Sequence, residues 1–202
     1  MKRNLLTTVF CLLSVCVYSQ INLGVKAGLN LANLTGDDVE DAKFRPALLA
    51  GAYLGIGLTE KFKVQPEVLF VSAGSKTSGF DSSIGQNYDQ SFKLSYVSIP
   101  VMFMYKITSF LNVQAGPQIS ILTSAKNVIE YDKAGKIDAD IKDTLKSSDF
   151  GINVGAGLDF GKFNVSARYC IGLSNINDVS DSSVKNQAIQ VAVGYSIFSF
   201  GD

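Results

Sequence analysis

The 202-residue chain contains no histidine. Hydrolases, proteases and acyl transferases generally lean on a histidine base or its equivalent, so those routes are closed. A carboxylate-only mechanism has no motif behind it, and the chain reads as a non-enzyme. Charge is also scarce. Asp, Glu, Lys and Arg make up 18% of the chain and sum to a net charge of zero, against about 25% charged residues in ordinary soluble domains. No basic footprint points to nucleic acid. Beyond the N-terminal segment, no apolar run is long enough for a membrane helix. Cysteine is limited to Cys11, Cys16 and Cys170. The first two fall in a segment expected to be removed, so the mature chain keeps one thiol and forms no internal disulfide.

No cofactor or metal motif is found. "GAGLDFG" (155–161) has a superficial likeness to a dinucleotide loop, but Phe160 stands where the third glycine belongs and no helix follows. "TGDDVED" (35–41) and "IDADIKD" (137–143) are acidic. In the second, Lys142 occupies a position that needs an oxygen ligand, and solvated loops are the better reading.

Residues 1–19 read as a secretory signal peptide. "MKRN" is a basic start, "LLTTVFCLLSVCV" an apolar core, and "VYSQ" offers small-residue cleavage between Ser19 and Gln20. The core is too short for an anchor. Val15 before Cys16 is bulky where a lipid-attachment motif wants a small residue.

From residue 20 to 202 the chain is dominated by alternation. In "FGINVGAGLDFG" (150–161), Phe, Ile, Val, Ala, Leu and Phe interleave with Gly, Asn, Gly, Gly, Asp and Gly. The pattern recurs over 21–31, 48–58, 62–70, 97–105, 111–121, 163–171 and 189–197, which makes eight segments. A period of two means strand, with successive side chains on opposite faces. Each segment runs to roughly 9–11 residues, the length that a tilted strand needs to cross a bilayer. Soluble strands are nearer five or six. The prolines at 66, 100 and 117 fall inside proposed strands. They must sit at a bulge or beside a local break, because proline cannot donate to a ladder.

Connections alternate in length. Turns at 59–61, 108–110 and 161–162 are tight, whereas 32–46, 72–91, 123–148 and 174–187 are long and rich in Ser, Gly, Asn, Asp and Lys. The 123–148 stretch is long enough to build a hairpin or short helix of its own. Short turns at one end and long loops at the other are the habit of outer-membrane barrels. The expectation is an all-β fold: an eight-stranded antiparallel up-and-down transmembrane β-barrel with both termini at the periplasmic end.

The second face of each strand settles which side meets lipid. A soluble lipid carrier would clothe its outside in Lys, Glu, Thr and Asp. Here the second face is Gly, Ala, Ser, Asn and Gln, which suits the crowded interior of an eight-stranded barrel. The apolar face is therefore expected to face acyl chains. Closure pairs every backbone group, as hydrocarbon demands. Phe62, Phe92, Tyr105, Phe150, Phe160, Phe163, Phe198 and Phe200 lie near strand ends, as girdle aromatics do. Three charged residues fall on the inner face at similar depth, with Tyr53 and Met102 beside them. Lys26, Glu67 and Arg168 are expected to pair across the lumen, since an isolated buried ion is costly. The network reads as a structural plug rather than a proton or ion path, because a barrel of this size has a filled interior.

The segments "GVKAGLNLANL", "FKVQPEVLF", "LSYVSIPVMFMYK", "QAGPQISIL", "SARYCIGLSNI" and "VAVGYSIF" resemble, in order, those of the PorT-like outer-membrane β-barrel family of Gram-negative envelopes. The likeness spans essentially residues 20–200. Ser98 departs from it, standing where relatives often carry an acidic residue after the tyrosine. The resemblance implies an eight-stranded barrel placed in the outer membrane by the barrel-assembly machinery. It also brings a link to protein secretion in some relatives. The leading expectation is a structural or adhesive barrel in contact with outer-membrane lipid. Its loops 32–46, 72–91, 123–148 and 174–187 would meet protein partners. The alternatives are a secretion-system accessory and a narrow channel or small-ligand carrier.

Overall fold

The computed structural model describes residues 20–36, 43–83, 85–133, 135–179 and 183–201. The expected signal segment, 1–19, lies outside them, as do most of the acidic stretch at 35–41 and the tip of the expected loop 32–46. The strands are β1 (Ile21–Gly36), β2 (Lys43–Gly57), β3 (Phe62–Asp81), β4 (Gln86–Lys106), β5 (Leu111–Tyr131), β6 (Gly135–Asp140), β7 (Ser148–Phe160), β8 (Phe163–Gly172) and β9 (Val184–Phe200). Every neighbouring pair is antiparallel. The hydrogen-bonded order is β4-β3-β2-β1-β9-β8-β7-β5-β6, and β4 also pairs with β5. That last pairing closes β1, β2, β3, β4, β5, β7, β8 and β9 into a ring, the eight-stranded barrel. β6 stands outside the ring, paired with β5 as an added hairpin arm.

Alternation sorts the two faces as expected. Along β3, Val68 and Phe70 are 55% and 53% exposed, while their neighbours Glu67 and Leu69 are each at 1%. On β4, Phe103 is exposed and Met102 fully buried. The apolar stripe points outward and the small and polar stripe fills the bore. Gly24 shows how tightly: a Cβ there would collide with the ring of Tyr53 on the adjacent strand.

The three proline positions act as ladder breaks without bulges. Around Pro66 the β2–β3 ladder skips from Tyr53↔Glu67 to Ile56↔Val64. Around Pro100 the β3–β4 ladder skips from Pro66↔Val101 to Leu69↔Ser98. Around Pro117 the β4–β5 ladder skips from Pro100↔Gln118 to Phe103↔Ala115. Each break faces the preceding strand, and register is kept across it. The missing N–H costs one local pairing while the opposite ladder runs on, as at Pro117↔Ile152. True register shifts occur elsewhere, between Leu23 and Gly24, Phe44 and Leu49, and Ser95 and Tyr96.

The expected loops are shorter than their composition suggests. β3, β4 and β5 run to 20, 21 and 21 residues, well beyond a bilayer crossing. Most of 72–91 is strand, with turn residues at 82, 83 and 85. The 123–148 stretch continues β5, adds β6, and ends in a short 3-10 turn, Lys142–Thr144. Over Lys76–Asp81 and Gln86–Gln90 the polar composition reflects water on both faces. The backbone stays extended because each hairpin completes its own ladder and stacks pairs such as Tyr88 and Tyr131, 6.1 Å apart.

Aromatics gather at the short-turn end. Phe62 packs on Tyr105 at 4.9 Å and Phe163 on Tyr195 at 5.0 Å, with Phe110, Phe160, Phe198 and Phe200 exposed nearby. Phe92 does not belong to a girdle. It packs against the apolar cluster at the opposite end of the bore, because its strand continues past the membrane instead of ending there.

Candidate functional site: the plugged lumen

Three strands bring one charged side chain each to the same level of the bore: Lys26 from β1, Glu67 from β3 and Arg168 from β8. Small neighbours make room for the long cations. Lys26 lies between Gly51 and Gly194, and Arg168 beside Gly155. Lys26 Nζ donates to Glu67 Oε1 at 2.7 Å. Arg168 donates Nη2 to Oε1 at 2.7 Å and Nη1 to Oε2 at 2.9 Å, a two-point grip matched to the planar carboxylate. Gln65 Nε2 adds a further bond to Oε1 at 2.7 Å. All three charged residues are almost wholly buried.

The network extends toward the short-turn end. Arg168 Nε donates to Gln114 Oε1 at 2.9 Å, and Asn112 Nδ2 to Asp159 Oδ2 at 3.0 Å. Lys26 and Lys63 each place Nζ 5.8 Å from the centroid of the Tyr53 ring, whose hydroxyl accepts from Asn164. Lys26 thus shares the Glu67 carboxylate with Arg168 and the Tyr53 face with Lys63. Met102 lies above, with its sulfur 4.0 Å from Asn153 Nδ2. Ser98 bonds Ser120 across the sheet at 2.8 Å, a neutral hydroxyl pair.

A second closure sits at the long-hairpin end. The segments 141–147 and 173–179 fold over the mouth and are stitched together by Lys146 N to Ile176 O (2.9 Å) and Asp178 N to Thr144 O (3.2 Å). Ile176, 1% exposed, joins Leu34, Leu94, Leu122 and Ala188 in an apolar cap, with Ile141 and Leu145 packed against it. Between cap and charge network lies a small cavity of mixed lining, with Asn30, Tyr96, Asp149, Asn153 and Asn186 beside Val71, Ala73 and Ala188. The loop-like composition of 123–148 and 174–187 hides the cap, Asp149 and Asn186 from sequence reasoning. The available signal was continued alternation into β9 before residue 189.

A closed antiparallel ring with an apolar outside and a charged, polar inside defines a membrane-spanning β-barrel. The chain belongs to the outer membrane protein beta-barrel domain family, whose model matches residues 14–178, and it is a protein of the Gram-negative outer membrane. Among solved structures it is similar to Neisserial surface protein A (NspA), with a TM-score of 0.54 and 15% identity, over 87% of this chain and 97% of that one. It is also similar to Ail of Yersinia pestis, with a TM-score of 0.46 and 14% identity, over 90% of this chain and 100% of that one. OprG of Pseudomonas aeruginosa aligns over 91% and 96%, with a TM-score of 0.37 and 10% identity. No curated protein matches.

Proposed function

We propose that this protein is a small, non-enzymatic outer-membrane barrel with a filled lumen, whose long hairpins serve as a structural or adhesive contact surface. The observation that carries the reading is the double closure of the bore. Glu67 ties Lys26 and Arg168 together at one level, and Ile176 with its neighbours seals another. The same chain invests in arms that the membrane does not need. β3, β4, β5 and β6 project beyond it, with Phe80 and Ile137 exposed at 62% and 56%.

In this reading Lys26, Glu67 and Arg168 form a structural plug. Residues 1–19 are removed on export, and the barrel-assembly machinery inserts residues 20–202 with both termini in the periplasm. The loops within 32–46, 72–91, 123–148 and 174–187 face outward toward protein partners. The PorT-like resemblance supports a second role, as an accessory to a secretion system.

Purified protein in a planar bilayer should pass no steady current, and a stable conductance would favour the narrow channel instead. Cells carrying the barrel with 76–91 and 126–140 replaced by tight turns should keep a heat-modifiable band and lose attachment or partner capture. Retention of both would remove the contact role.

A further inference from the structure

We propose that the small cavity in the hairpin half of the lumen is a binding site for one small monovalent cation, an alkali ion or ammonium. Its ligands would be the Asp149 carboxylate together with the amide oxygens of Asn30 and Asn186. This goes beyond the filled-lumen reading and holds or fails whether or not the hairpins meet a partner.

The cavity measures about 40 Å³. A water molecule needs ~10–15 Å³ on that scale, so there is room for an ion with one or two waters. Three buried oxygen atoms on its lining residues have no hydrogen-bond partner: Asn30 Oδ1, Asp149 Oδ1 and Asn186 Oδ1. The amide orientations are set by what the nitrogens do. Asn30 Nδ2 donates to the Ser72 carbonyl at 2.7 Å. Asn186 Nδ2 donates to Tyr96 Oη at 3.1 Å and to Asp149 Oδ2 at 2.9 Å. Each nitrogen is committed, so each oxygen is left as an acceptor.

Charge decides between an ion and neutral water. Asp149 is 7% exposed, and none of the ion pairs among the described residues includes it. No Lys or Arg lines the cavity. Arg168 and Lys26 are committed one level away to Glu67. A buried carboxylate without a counter-charge is costly and is relieved by a proton or by a cation, whereas water supplies hydrogen bonds but no charge. The apolar cap over Ile176 limits screening from outside.

The donor set selects the ion. Carboxylate and amide oxygens suit hard cations, not soft metals. Calcium takes six to eight oxygens in a typical site, and magnesium keeps an octahedral water shell. One carboxylate balances one positive charge, which favours a monovalent ion.

The test uses full-length mature protein refolded in detergent in choline chloride. NaCl, KCl, NH4Cl or CaCl2 is titrated in at constant ionic strength. The reading is the midpoint temperature at which the fast-migrating gel band is lost. The wild-type midpoint should climb with each tenfold rise in a monovalent cation, as linkage requires, and Asp149→Asn should show no dependence. Crystals of the wild type soaked in thallium(I) should show an anomalous peak within coordination distance of Asp149 Oδ1, and this measurement decides if the variant does not refold. Midpoints equal to those in choline with no thallium peak in the cavity, a response to calcium alone, or a peak only outside the barrel would each overturn the site.

Discussion

Arg168 grips Glu67 across the bore with two parallel hydrogen bonds, 2.9 and 2.7 Å long, from a position 101 residues further along the chain. Lys26 reaches the same carboxylate from a third strand at 2.7 Å. The carboxylate is the shared element of the cluster: without it, two buried cations face one another.

Glu67→Gln should therefore be severe. Removing one partner of a buried ion pair costs about 3–5 kcal/mol, because the remaining charge is uncompensated. Urea unfolding in lipid vesicles, followed by gel mobility, should show that loss. Replacing Lys26, Glu67 and Arg168 together by Met, Leu and Met should restore most of the stability, since a well-packed apolar trio avoids desolvation altogether. If the triple variant proves as unstable as the single one, charge pairing is not what Glu67 supplies.

Val68 neighbours Glu67 but points the other way, with 55% of its surface exposed. Val68→Arg should destabilise the barrel in lipid by about 2–4 kcal/mol, the cost of a cation near the bilayer midplane on the outer face of a barrel. Val68→Ile should be silent. An arginine tolerated at this position would mean that the outward stripe does not meet hydrocarbon.

Gly74 has φ +118°, and a Cβ on it would strike the Phe92 carbonyl oxygen on the paired strand. Gly74→Ala should cost about 1–3 kcal/mol in backbone strain. Gly85, with φ +63° at the hairpin tip and open space around it, should tolerate alanine with a smaller loss. Refolding yield of the two variants compared side by side is the measurement.

Ile176 is the buried anchor of the cap. Ile176→Ala should loosen the outer closure by about 2–5 kcal/mol, the usual range for emptying a core isoleucine site. Limited proteolysis should then cut within 173–179 while the ring keeps its heat-modifiable mobility. Uniform loss of the whole barrel would show that cap and ring unfold as one unit.

Much of this architecture was legible beforehand, for physical reasons. Leu23, Val25, Val68 and Phe70 alternate with Gly24, Lys26, Glu67 and Leu69, so the period of two placed the strands and sorted their faces. Hairpin connectivity fixed neighbours, because antiparallel strands joined by short turns pair in order. The loops were less legible. Lys76–Asp81 and Gln86–Gln90 are open to water on both faces, and composition cannot separate a solvated hairpin from an irregular loop. Phe92 was misplaced for the same reason: its strand does not stop where the hydrocarbon does.

By itself the sequence determined a closed barrel of outward grease and inward polarity, since alternation is a local property and hydrocarbon forbids open edges. Only the tertiary structure decided the depth of each residue. Strand tilt and stagger set which side chains meet at one level of the bore. The two-point grip of Arg168 on Glu67, the seat of Ile176 in the cap and the convergence of Asn30, Asp149 and Asn186 on one cavity all depend on that stagger. No stretch of sequence contains it, because it arises only when the first strand pairs with the last.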